Sequence, residues 1–119
     1  MVKSIVLSAT VGAGSTGTLL SSPIPRRFSP VAIVLYTDQF NINSKFSAFL
    51  TNSDTAVTEP QAGDPPPFIT GATPTGNVPI AIPLDTTVEY PSRLRLAVAF
   101  NNQAATNANV VVWFFYRER

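Results

Sequence analysis

Apolar and polar residues alternate with a period of two along much of this chain, the spacing of a β-strand with one face in a core. In SRLRLAVAF, from Ser92, residues Leu94, Leu96, Val98 and Phe100 share one face and Arg93, Arg95, Ala97 and Ala99 the other. Lys3–Val11 sets Ile5, Leu7, Ala9 and Val11 against Ser4, Val6, Ser8 and Thr10, and Lys45–Leu50 turns Phe46, Ala48 and Leu50 one way. Two stretches break the rule. ANVVVWFFYR puts Val110, Val112, Phe114 and Tyr116 on one face but Val111, Trp113 and Phe115 on the opposite one, and Val31–Tyr36 is apolar on both sides as well. A strand of that kind needs cover on both faces. The polar NNQAATN joining the arms at 92–100 and 108–117 predicts that they pair as a central antiparallel hairpin.

Shorter strands are predicted over Thr18–Ser21, Phe68–Thr70, Val78–Ile82 and Thr86–Tyr90, with Pro74, Pro79 and Pro83 confining the last three to sheet edges or bulges. Gly12, Gly14 and Gly17 mark a turn; GAGSTG lacks the lysine of a phosphate-binding loop and no helical pattern follows it. No segment carries a 3.6-residue apolar period. The pattern therefore predicts an all-β chain: one antiparallel β-sandwich domain over residues 1–119, jelly-roll-like, with essentially no helix. An immunoglobulin-like sandwich ranks second, because the cysteine pair is missing and the tryptophan sits on the final strand.

Composition changes this picture in one respect. Charged residues make up 13% of the chain, against about 25% in an ordinary soluble domain. Such a surface suits a protein packed against copies or partners. A net charge of +1 with scattered basic residues predicts neither nucleic-acid nor membrane binding. The start, MVKSIVLSATVGAGS, reads as a strand rather than a signal peptide, and no apolar run approaches the roughly 20 residues of a membrane span.

Chemistry is sparse. With no cysteine and no histidine, thiol chemistry and the commonest general base and zinc ligand are gone. Neither Lys3 nor Lys45 sits in a nucleophile motif. Asp85 and Glu89, four residues apart on an extended strand, would stand about 13 Å apart, too far for a glycosidase pair. The sequence predicts no enzyme, no catalytic residues, no cofactor and no metal. Thr51–Pro67 holds Asp54, Glu59 and Asp64 and ends in Pro65, Pro66 and Pro67. It reads as a plain crossover loop or as an arm reaching a neighbouring subunit, with a calcium loop less favoured by its spacing. Arg93 and Arg95 project from one face; if that face continues to Trp113 and Phe115, arginine and aromatics mix there as they do at protein interfaces. The candidate interface is thus Arg93, Arg95, Val111, Trp113, Phe115, Pro65, Pro66, Pro67 and Phe68.

The all-β pattern, the missing Cys and His, the low charge, the Thr/Asn/Pro-rich loops and the last strand VVVWFFYRER together resemble small virion structural proteins: bacteriophage capsid decoration (cement) proteins and small jelly-roll coat proteins. The resemblance implies a homo-oligomer, with a trimer favoured, that binds a major capsid protein or other shell subunits and ends in the virion after assembly in the host cytoplasm. The alternative is a carbohydrate-binding, lectin-like sandwich with Trp113, Tyr90 or Tyr36 as a stacking platform.

Overall fold

The computed structural model describes residues Met1–Arg119 and contains eight strands and no helix. They are β1 (Val2–Val11), β2 (Thr16–Leu20), β3 (Phe28–Thr37), β4 (Lys45–Thr51), β5 (Ile69–Ala72), β6 (Ile80–Pro83), β7 (Arg95–Asn101) and β8 (Ala108–Glu118). Two four-stranded antiparallel sheets form, in the orders β1-β8-β3-β6 and β2-β7-β4-β5. The pairs β1 with β8, β2 with β7, β3 with β6 and β4 with β5 are those of one long hairpin folded at β4–β5 and rolled up. That is a jelly roll.

The predicted hairpin does not form. β7 lies between β2 and β4, and β8 lies between β1 and β3 in the other sheet. The NNQAATN loop crosses between layers about 10 Å apart, anchored by Asn102. Thr86–Tyr90 is no strand either. The Asp85 carboxylate accepts from the Thr87 amide (2.9 Å) and hydroxyl (2.6 Å) and closes a turn, leaving only Tyr90 bridged to Phe28.

Alternation decides what enters the core. Ile33, Leu35, Val110, Val112 and Phe114 point in from the first sheet, and Phe46, Ala48, Leu50, Leu96, Val98 and Phe100 from the second. Aromatic rings close one end: Phe28, Phe68 and Tyr116 surround Phe114 at centroid distances of 5.7–6.3 Å, and Tyr90 packs against Phe28 and Phe68. The β3 ladder shifts register between Pro30 and Ala32, beyond the end of β6, so the missing proline N–H interrupts no central pairing.

Candidate functional site

The two doubly apolar stretches are neighbours: β3 and β8 pair over nine positions in the same sheet. Their outward faces therefore merge into one surface instead of making two. The registers place Val6, Trp113, Val34 and Ala81 in one row across all four strands. Ser4, Phe115, Ala32 and Pro83 form the row on one side of it, and Ser8, Val111 and Tyr36 the row on the other. Val6 is 56% exposed, and Val111, Trp113, Phe115, Val34 and Tyr36 are half-buried. Own-chain cover is incomplete. A contiguous apolar sheet face open to water marks an interaction surface.

The face is bordered by polar and apolar ends. At one end Asn109 receives the Thr10 hydroxyl (3.0 Å) and donates its amide to Asp38 (2.9 Å), while its backbone N–H reaches the other Asp38 oxygen (2.8 Å). On the same side the Tyr36 hydroxyl donates to Asn77 (3.2 Å), and the nearby loops carry Phe40, Ile42 and Val78, each more than half exposed. Sequence reading does not single these three out: Phe40 and Ile42 lie outside any alternating run, and Val78 falls within the predicted Val78–Ile82 strand, which begins only at Ile80. Gly76, at φ 58°, packs against Phe40, and a Cβ there would lie 2.9 Å from the Phe40 Cβ. At the opposite end Glu118 accepts from Lys3 (2.7 Å) and lies 3.7 Å from Arg26. The Lys3 hydrogen bond holds the Glu118 carboxyl below its usual range, and the same bond raises the Lys3 ammonium.

The other candidate residues lie elsewhere. Arg93 and Arg95 belong to the β7 side of the opposite sheet, so they share no face with Trp113 and Phe115. Arg95 donates to the Ser21 carbonyl (3.0 Å), and Arg93, at φ 74°, gives its backbone N–H to Ile24 (2.6 Å). Phe68 turns inward and stacks on Phe114. Pro65 is half-buried and Pro66 and Pro67 are exposed. Tyr90 packs between Phe28 and Phe68, away from the Trp113 face.

The 52–67 loop folds back on its own chain. The Asp64 carboxylate accepts from the Thr51 hydroxyl (2.6 Å) and from the backbone amides of Asn52 (2.9 Å) and Gln61 (2.8 Å). Partial burial pushes this carboxyl up, but these donors outweigh it and the net direction is down. Thr51 shares the outward parity of Phe49 in the β4–β7 ladder, so the loop returns on the outer side of that sheet. Phe49 points outward and is 0% exposed. The two outer faces thus differ: one is capped by its own chain and the other is open.

No group of three or more His, Cys, Asp or Glu side chains is placed to hold a metal. No helix is long and apolar enough to cross a membrane. No protein-family model matches the sequence, and no curated protein matches it. Among solved structures, 99% of the chain superposes on a chain of the cyanophage Pam1 capsid asymmetric unit, with TM-score 0.51, 16% identity and 85% of that chain covered. It also superposes over 99% of its length on infectious bursal disease virus, Gx strain, with TM-score 0.52 and 12% identity, spanning about a third (32%) of that chain. The likeness to these virus chains is one of fold, in agreement with the all-β resemblance read from the sequence.

Proposed function

We propose that this chain is a structural component of a virion, a decoration or minor coat protein that stabilises a shell through protein–protein contacts. The open outer face of the β1-β8-β3-β6 sheet carries the reading. It presents a tryptophan and several aliphatic residues across four strands, with no charged side chain in the Trp113 row. Such a face gains by desolvation against another protein, at roughly 25 cal/mol per Å² of apolar surface removed from water. It offers Trp113 few hydrogen-bonding neighbours with which to orient a sugar. The fold shared with a chain of a cyanophage capsid and a chain of another virus supports the same assignment. In this reading the chain self-associates, as a trimer, and docks on other shell subunits.

Trp113 is the only tryptophan, so its fluorescence reports this face directly. The test is native mass spectrometry at micromolar concentration together with acrylamide quenching of Trp113. The expected result is an oligomer with shielded, blue-shifted emission. The double variant Val6→Lys, Trp113→Lys should run as a folded monomer. A wild-type chain that stays monomeric at high micromolar concentration, with Trp113 freely quenched, would remove self-association from the proposal.

A further inference from the structure

A second surface is specified by the backbone rather than by the sheet face. A jelly roll of two open sheets has four edge strands, here β1, β6, β2 and β5. Open edges invite pairing with foreign strands, and proteins blunt them with short length, proline, glycine kinks or bulges. Three of these four are blunted. β6 is four residues long and ends in Pro83. β5 is also four residues, with a register shift opposite it and Gly71 at φ 75°. β2 has five residues and includes Gly17. β1 has ten residues, no proline and an unbroken register with β8. No backbone group of residues 2–10 is engaged outside the β8 ladder, so the other edge of β1 keeps its N–H and C=O groups free at alternate residues.

A cavity of about 410 Å³ opens beside this edge, between β1 and the Leu20–Pro25 segment. Ile5, Leu7, Leu20, Ile24 and Tyr116 give it an apolar lining. Its surroundings are basic. The Arg95 guanidinium donates to Ser21 of its wall, and Lys3 and Arg26, close in sequence to the lining residues Ile5 and Pro25, share the single carboxylate of Glu118, which leaves a net positive charge. We propose that the free edge of β1 is a strand-addition site for an extended segment of a partner protein. One apolar side chain of that segment enters the cavity, and acidic residues flank it. The free N–H and C=O groups select an extended backbone. The excess of cations selects acidic flanks. The Leu20–Pro25 wall stands across the cavity from β1, so a segment added there meets a second surface beside the edge. The site adjoins the Trp113 face through Val6, which belongs to both, but it does not depend on that face's role.

The test uses the full chain and a fluorescein-labelled peptide, Glu-Val-Thr-Val-Thr-Val-Thr-Glu, in fluorescence anisotropy at low ionic strength. The peptide should bind, and lysine in place of both glutamates should weaken it by about tenfold. N-methylation of alternate amides along its pairing edge should also cost about tenfold or more, because methylation removes ladder hydrogen bonds and leaves side chains intact. Ser22→Trp, at an exposed position of the lining, should block the cavity and weaken binding similarly, with the variant's fold checked by thermal unfolding. Bound peptide should slow amide exchange in residues 2–10. No binding by wild type at ~1 mM peptide, or equal binding by peptides methylated along either edge, would overturn the proposal.

Discussion

Replacing Asn102 by alanine tests how the two layers are joined at one end. Asn102 is 0% exposed, and its side-chain amide donates to the carbonyls of Val11 (3.0 Å), Gly12 (3.2 Å) and Thr106 (3.1 Å) while its oxygen accepts from the Ala104 amide (3.0 Å). It thereby ties the β1–β2 turn to the crossing between β7 and β8. The alanine variant strands four backbone groups. The bonds to Gly12 and Thr106 are only part-buried, and water replaces them; those to Val11 and Ala104 are buried and go unmet. Two buried orphans at about 1–3 kcal/mol each, with a small void, give a loss of about 3–4 kcal/mol. Urea unfolding followed by Trp113 fluorescence should show a midpoint lower by about 2 M at unchanged slope. Asn102→Asp sharpens the test. It preserves shape but turns a carboxylate oxygen toward three carbonyls, so at neutral pH it should destabilise at least as much as alanine. That carboxyl's folded-state pKa is raised, so the deficit should shrink as the pH falls and the group becomes a donor. An alanine variant within about 0.5 kcal/mol of wild type would refute the account of Asn102 as the tie.

Three further outcomes are expected. Asp64→Asn should loosen the 52–67 loop, seen as faster proteolysis between Asn52 and Asp64. Because the folded Asp64 carboxyl lies below its ordinary value of 3.8, its contribution is complete above that range and lost as pH falls through the folded value. The stability gap between wild type and D64N should therefore close in acid. Phe49→Ala should cost about 3–4 kcal/mol in chemical denaturation, as for a core phenylalanine, although the side chain points away from the core. Gly17→Ala should lower stability by about 1–3 kcal/mol, since the added Cβ would lie 2.4 Å from a Val11 methyl, and Val11→Ala should relieve much of that loss.

Strand identity was legible because alternation reports which side of a strand meets a core. It reports nothing about which sheet the strand joins. The arms at 92–100 and 108–117 both carry a proper inward face, and nothing in NNQAATN distinguishes a hairpin loop from a crossing; the buried Asn102 does so only in three dimensions. The same gap separated Arg93 and Arg95 from Trp113. The surplus of apolar surface on Val31–Tyr36 and Val110–Tyr116 was visible in sequence, but their adjacency, which turns two needs for cover into one open face, came from the β3–β8 register. Phe49 shows the converse: its parity marked it as outward, yet it is fully buried, which strand parity alone does not predict. The cavity beside β1 left no local sequence signal, since Leu20–Pro25 and Ile5–Leu7 meet through tertiary folding.

The position of β8 also bears on how the chain acquires its shape. The strand made last of the eight is an interior member of its sheet, flanked by the first and the third. During synthesis, β1 and β3 must wait unjoined until residues 108–118 emerge, and nearly every pairing then spans a large sequence separation. Folding of this topology is slow for that reason, and its precursor exposes sticky strands. Clipping a handful of residues from the β8 region would remove the middle of a layer instead of fraying its rim.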